Sequence, residues 1–413
     1  MKSILSKRST VITAVIVLVI YLFVGICEPI APANWSMLFM VLKKGSVYAL
    51  IAVSMNLLTG FTGLFSLGQA GFMLLGAYTY GIFTIPVADR ASVYQYFNGG
   101  IVNFTLPIPI ALILAGLVAA FFAFLIGLPV LRLKSDYLAI ATLGFAEIIR
   151  AIFQWNVLGP VTNGSNLLRK FPVFQSTLPY FIVVGLCVAV IFLLINSSYG
   201  RAFKAIREDE IAAEAMGINL SKHKMLAFCI SSFFAGIGGA LLAMYLTSIQ
   251  ASIFKSAMTY EILLIVVIGG IGSISGSLIA SFLYIACSEW WLRFLDNEMI
   301  LTASGRTRFI VIMAVIFAAL LAMMVYRIIH TKDKSKISYF VGGGVSLLFL
   351  IWLIYFGATG QTKVPLLRNG FRMVVFSVII MIVVLFFRQG IMGTKELPEL
   401  FQSKTKKEVA TDE

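Results

Sequence analysis

Thr259 to Ser288 reads TYEILLIVVIGGIGSISGSLIASFLYIACS, a run of 30 residues whose one charged residue is Glu261. A hydrocarbon core roughly 30 Å thick is crossed by about 20 apolar residues, so this run is too long for a single span. Its middle, IGGIGSISGS (Ile268 to Ser277), carries four glycines and three serines. Residues of that kind disfavour a continuous helix. Each half, at 1.5 Å per residue, is about 20 Å long and falls short of a full crossing. The expectation is a half-helix hairpin that enters and leaves the membrane on the same face.

The rest of the chain tests that expectation by parity. Further apolar runs lie at 11–27, 37–58, 63–85, 107–131, 137–153, 179–197, 224–248, 308–329, 338–357 and 370–387. Lys2, Lys7 and Arg8 hold the N-terminus in the cytoplasm under the positive-inside rule. Alternating from there, Arg132 and Lys134 fall inside, and so does the whole 198–223 loop. After 224–248 the chain is outside, yet Arg327, His330, Lys332, Lys334 and Lys336 demand the inside after 308–329. Parity closes only if 259–288 returns to the face it entered. The tail, with Lys395, Lys404, Lys406 and Lys407, then lies inside as well. The expected fold is an all-α polytopic membrane protein of about ten crossings plus a glycine-broken re-entrant or half-helix hairpin.

Composition agrees. Of 413 residues, 60% are hydrophobic and 12% charged, and the mean hydropathy is +0.97. No soluble stretch is long enough for a large extramembrane catalytic domain. The net charge of +14 does not point to nucleic acid, because the Lys and Arg residues stand at the ends of apolar runs instead of forming one basic patch. Cys27, Cys187, Cys229 and Cys287 have no CxxC or metal-type spacing and read as small packing residues. Two histidines, His223 and His330, provide no cluster for a metal or a proton relay. The basic MKSILSKRST start and the long apolar run after it read as a retained first helix, since no A-x-A-like cleavage site follows.

A second glycine-broken stretch is LTGFTGLFSLGQAGFMLLGAY, Leu58 to Tyr78. It reads either as close helix packing through small residues or as one wall of a central pathway. No residue-level repeat relates the two halves of the chain. Polar residues within the apolar runs are few, and such groups turn inward, toward a route for substrate or toward a partner. Asn56, Ser66, Gln69, Thr142 and Glu147 are the candidates for the pathway. Glu147 and Arg150 stand at i,i+3, where they can also neutralise one another.

Between two apolar runs lies GRAFKAIREDEIAAEAMGIN, Gly200 to Asn219. Arg201, Lys204 and Arg207 mark the cytoplasmic face. Asp209 is placed to cap a helix, acidic residues crowd its first turn, and Gly217 is placed to end it after Met216. A short helix of about two turns with a small-residue face is expected there.

Five stretches, in order, resemble one family. They are YALIAVSMNLLTGFTGLFSLGQAGFMLLGAY (Tyr48 to Tyr78), LPVLRLKSDYLAIATLGFAEIIR (Leu128 to Arg150), GRAFKAIREDEIAAEAMGINLSKHKMLAFCISSFFAGIGGALLA (Gly200 to Ala243), VIGGIGSISGS (Val267 to Ser277) and FRMVVFSVIIMIVVLFFRQGIMG (Phe371 to Gly393). The chain resembles the LivM-type permeases of bacterial branched-chain amino-acid ABC importers, which are type II ABC-importer-like permeases. The resemblance covers about 10–290 and 367–393. It implies a second homologous permease, two cytoplasmic ATPase subunits and an external substrate-binding protein as partners, all assembled in the lipid of the cytoplasmic (inner) membrane, with both termini cytoplasmic. It also implies that the charged loop is the EAA loop. Gly200, Arg201, Arg207, Asp209, Glu210, Ala212, Ala213, Glu214 and Gly217 then couple the chain to the ATPases.

The sequence holds no GxxxxGK[ST] loop, so ATP and magnesium are expected on partner subunits, with no cofactor on this chain and no enzymatic activity of its own. The organisation that follows is a permease core over 1–290 that includes the 198–223 loop, an insertion over 291–366 with two extra spans, a final core helix within 367–393 and a flexible cytoplasmic tail over 394–413. The insertion departs from the family, as does GPVTNGSNLL (Gly159 to Leu168), where members carry a more glycine-rich TGGxxGL pattern. Related permeases import urea, short amides, sugars or nucleosides. A secondary transporter would need its own coupling-ion site, for which few intramembrane charges are present, and a membrane scaffold would leave the capped helix unused.

Overall fold

The computed structural model describes residues 7–30, 35–133 and 135–293, together with 351, 355, 372, 374–378, 381, 390–393 and 396. The chain divides into two compact units, Met1–Trp290 with Ile379–Glu413, and Trp291–Val378. The two added spans expected at 308–329 and 338–357 lie outside the described residues apart from Ile351 and Tyr355, as does the tail apart from Glu396.

The first unit is mostly helical over its described residues. In chain order it contains α1 (Lys7–Ile30), α2 (Ser36–Asn56), α3 (Gln69–Thr84), α4 (Val87–Val93), α5 (Ile108–Val130), α6 (Ser135–Gln154), the single turn α7 (Gly159–Thr162), α8 (Leu178–Asn196), α9 (Ser198–Glu208), α10 (Glu210–Ala215), α11 (Leu220–Leu246), α12 (Ser256–Gly269) and α13 (Ile274–Ile285). Among the described residues, five helices are long and apolar enough to cross a membrane: α2 with its continuation to Phe61, α5, α6 from Tyr137, α8 and α11. The α3–α4 pair, bent by 120°, is a sixth if taken as one broken span. The chain is a polytopic helical membrane protein; the ten crossings expected from parity involve runs that are not described.

The core forms where α2, α3, α5, α11 and α13 meet. Small residues let these helices approach closely, which in a membrane replaces the hydrophobic driving force available in water. A Cβ added at Gly76 of α3 would stand 2.0 Å from Gly236 O of α11, and one at Gly239 would stand 2.0 Å from Met73 O. Gly236 in turn lies against Ala115 and Ala119 of α5. Three helices thus share one crossing lined by Gly and Ala.

The run over 63–85 is not helical from end to end. Its helix, α3, starts only at Gln69; Leu57–Phe61 form a π-helical turn, and Thr62–Gly68 follow in irregular backbone. Three neighbours show how far this irregular segment climbs. Leu67 N–H donates to Thr142 Oγ1 at 3.0 Å, seven residues into α6, and Gln69 Nε2 donates to Ser54 Oγ at 2.8 Å, seven residues before Phe61. At 1.5 Å per residue both positions are about 10 Å from their helix ends. Ala70 N–H donates to Thr259 Oγ1 at 3.1 Å, near the start of α12. Hydropathy cannot register this unwinding, because Leu64, Phe65 and Leu67 are apolar in any conformation.

The glycine-broken hairpin is present as two half-helices. α12 ends at Gly269, Gly270–Ser273 turn, and α13 begins at Ile274 with Ser273 Oγ accepting the Gly276 N–H at 3.1 Å. Gly270 and Gly272 have φ of +115° and +92°, conformations that L side chains rarely adopt. α13 runs antiparallel to α2. Its first turn meets Asn56, Phe282 covers Gly45, and Glu289 beyond it pairs with Lys44 at 2.6 Å. The turn therefore lies at the same end of the bundle as the last turn of α2, and both arms of the hairpin lead away from that end.

Candidate functional site

α9 and α10 lie across that same end. Ser197 caps α9, accepting the Tyr199 N–H at 3.2 Å, and the helix buries Phe203 and Ile206. Gly200 is needed for this seat, since a Cβ there would stand 2.0 Å from Ile195 O. Asp209 breaks the chain between the two helices with extended backbone, and its Oδ1 accepts the N–H groups of Ile211 and Ala212 at 2.9 and 3.1 Å. The C-terminus of α10 closes with Gly217 N–H on Glu214 O and Ile218 N–H on Ala213 O, at 2.9 and 3.1 Å. With Gly217 at φ +85°, this is the six-to-one and five-to-two pattern of a Schellman motif. The short capped helix expected from Asp209 and Gly217 is found, ending one residue earlier than expected.

Its faces differ from a uniform small-residue surface. Ala213 points inward and is buried, whereas Ala212 and Glu214 are exposed. Glu210 pairs with Lys224 of α11 at 2.6 Å. Ile211 and Met216 project outward at 81% and 84% exposure. Two large apolar side chains, one in the first turn of α10 and one just past its end, are thus left uncovered.

Beneath α9 the two broken segments meet in a single junction. Asn56, fully buried at the end of α2, donates through Nδ2 to Ser273 O at 2.9 Å and Ser277 Oγ at 2.7 Å, with Gly270 O at 3.4 Å, and accepts the Gly272 N–H on Oδ1 at 2.9 Å. Gly60 of the π-helical turn is pressed into the same place: a Cβ there would stand 1.8 Å from Asn56 Oδ1 and 2.5 Å from Gly272 N. From the outer side, Arg207 Nη1 donates to Gly60 O at 2.8 Å. Arg201 stays at the surface, bonded to Ser198 Oγ at 2.9 Å.

A third segment closes the junction. The N–H groups of Ile391 and Met392 donate to Ile268 O and Gly269 O at 2.8 and 3.2 Å. Glu396 accepts the Ile274 N–H at 2.7 Å and the Ser275 N–H at 3.0 Å, along with the Ser275 hydroxyl. A carboxylate on the first turn of a helix is favoured by its exposed N–H groups and by the helix dipole.

The remaining sequence candidates fall into two places. Ser66, Gln69 and Thr142 are all buried and pin the irregular segment: Ser66 Oγ accepts the Gly68 N–H at 3.4 Å, and Thr142 and Gln69 act as described above. Glu147 stands apart from them. It pairs with Arg150 at 2.6 Å, as the i,i+3 spacing allows, and its other oxygen accepts the Ser256 N–H at 3.3 Å. Sequence reasoning passed over Gly60, Gly272, Ser273, Ser277 and Glu396, because each is defined by partners distant in the chain. Among the described residues, no group of His, Cys, Asp and Glu is arranged to hold a metal ion.

Comparison with known proteins gives a consistent picture. A family model described as branched-chain amino acid transport system, permease component, matches residues 37–320. The chain is 32% identical over 289 residues to the high-affinity branched-chain amino acid transport system permease protein LivM of Salmonella typhimurium, covering 62% of this chain and 64% of that one. The LivM of Escherichia coli matches to the same extent. A probable LivM from Methanocaldococcus jannaschii is 26% identical over 275 residues, covering 60% of this chain and 79% of the other. The chain thus spans just under two thirds of the length of the two bacterial relatives. No solved structure matches.

Proposed function

Because the chain belongs to the family of branched-chain amino acid transport permease components, we propose that it is the translocating subunit of an ATP-driven importer for branched-chain or similar hydrophobic amino acids. In this reading it sits in the cytoplasmic membrane of a bacterium beside a second, homologous permease. Two ATPase subunits dock on its cytoplasmic face, and an external binding protein delivers the amino acid. Hydrolysis of ATP occurs on those partners. The observation that carries the reading is α10, a capped two-turn helix that offers Ile211 and Met216 to a partner on the same end as the hairpin turn. Gly200 seats α9; Asp209, Glu210 and Gly217 shape α10; Ala212 and Glu214 complete its outer surface.

The topology supports this orientation. The hairpin turn shares its end of the bundle with α9 and α10, so α12 and α13 both lead away from the cytoplasm. That is what parity requires if 259–288 enters and leaves by the external face. Asn56, Ser66, Gln69 and Thr142 then hold the broken segments in shape beside the route of the substrate, and Glu147 braces α12 against α6.

Replacing Ile211 and Met216 together with glutamate is expected to strip the ATPases from the purified complex while leaving the permease in the membrane. Buried anchors of a protein interface are worth on the order of 2 kcal/mol or more apiece. Co-purification and ATP-dependent uptake of radiolabelled leucine, isoleucine and valine in proteoliposomes are the measurements, and uptake that persists with the ATPases omitted would overturn the importer reading. Nucleosides are the runner-up cargo. A nucleoside ABC transporter permease of Lactococcus lactis, NupC, is 22% identical over 200 residues. Competition by unlabelled nucleosides against leucine separates the two.

A further inference from the structure

We propose that Arg207 is the positioning residue through which movement of α9 and α10 reaches both broken segments of the membrane core at once; this rests on the importer reading above. The guanidinium is held as a fork. Its Nε and Nη2 donate to the carboxylate of Glu208 at 3.2 and 2.5 Å, which leaves Nη1 aimed along the opposite edge. There it donates to Gly60 O at 2.8 Å, and a Cβ on Gly272 would stand 3.0 Å from the same nitrogen. The aliphatic stem lies on Gly63, whose Cβ position is 3.1 Å from Arg207 Cγ and 3.2 Å from its Cα. One side chain of the cytoplasmic loop therefore touches the π-helical turn, the start of the irregular segment and the tip of the hairpin.

Each contact falls on a glycine, so Arg207 reads backbone positions directly. A planar guanidinium can satisfy this arrangement, whereas an ammonium, a single point donor, can keep the bond to Gly60 O but not the flat contact with Gly272. The exposed pair with Glu208 contributes little to stability; its effect is to fix the direction of Nη1. Asn56 carries the link onward, because its Oδ1 holds Gly272 N–H while its Nδ2 holds Ser273 and Ser277 of α13. Lys204, with Nζ 5.7 Å from the centre of the Phe61 ring, leans on the same turn. A parallel route into the core runs through α11, where Glu210 pairs with Lys224, so the test must isolate Arg207.

The complete importer is reconstituted with ATPases and binding protein, and three permeases are compared: wild type, R207A and R207K. Co-purification of the ATPases, ATP hydrolysis and leucine uptake are measured on each. R207A is expected to retain the ATPases and their hydrolysis while uptake per ATP falls by about tenfold, within the usual range of coupling between sites. R207K is expected to recover part of that loss. Spin labels at Glu214 and Ile271, both on the exposed surface, report the link itself: their distance stays narrow through the ATP cycle in wild type and broadens in R207A. Unchanged uptake per ATP in R207A overturns the proposal, as does loss of ATPase binding, which would make Arg207 a docking residue. A wild-type complex that shows no ATP-driven leucine uptake would refute the importer reading instead, and the spin-label comparison would still decide the link.

Discussion

An Asn56→Leu permease is expected to unfold at a markedly lower temperature and to lose uptake. Leucine keeps the branching and the number of side-chain heavy atoms but is bulkier, so the change removes the hydrogen bonds and adds crowding against Gly60. Gly272 N–H would lose its acceptor, whereas Ser273 O keeps the N–H and hydroxyl of Ser277 as donors. A buried polar group left without a partner costs about 1–3 kcal/mol. That is a large share of the total stability of an ordinary fold. Thermal unfolding of the detergent-solubilised permease, followed by tryptophan fluorescence, checks it. A wild-type melting curve for the leucine variant would mean that Asn56 does not hold the hairpin.

The second large effect belongs to the crossing of α3, α5 and α11. Gly76→Val places a branched side chain where even a Cβ would stand 2.0 Å from Gly236 O. Backbone lies on the far side and cannot rotate away, so the helices must part, and the loss of packing spreads to Gly239 and Ala115. Overpacking commonly costs about 1–3 kcal/mol, with more expected when the obstacle is backbone. The expected result is a permease nearly absent from membranes, degraded rather than inactive. Gly144→Val is the matched control, because nothing lies within 4 Å of a Cβ at that position. Equal abundance of the two variants on immunoblots would refute this account of the crossing.

What could be read from the sequence was what is local. Asp209 and Gly217 sit within one helical turn of the groups they satisfy, so α10 was legible in a stretch of nine residues, Asp209 to Gly217. The hairpin break was legible because four glycines interrupt an apolar run. The junction was not, for Asn56 meets its partners across 214 to 221 positions and Arg207 meets Gly60 across 147. Asn56 stood out as a polar residue in an apolar run, but nothing nearby distinguishes a residue that faces a passing solute from one that fastens a second helix. Arg207 read as a charge marking the cytoplasmic face and, by resemblance, as part of the coupling loop, with nothing nearby to tie it to Gly60. The start of α3 was misread because apolar residues score alike whether helical or extended.

The same long separations impose an order on how this protein is made. Asn56 leaves the ribosome early, and Ser273, one of its partners, follows 217 residues later. At roughly 5–20 residues per second, that is a wait of about 10–40 seconds. Glu396 emerges 122 residues after Ile274, the first amide it receives. Until each successor arrives, a polar amide or an uncapped half-helix must be kept out of lipid, by the insertion machinery or by a neighbouring helix. The end of the bundle that carries the junction is therefore finished last, and its assembly depends on what shelters it meanwhile as much as on the contacts it finally keeps.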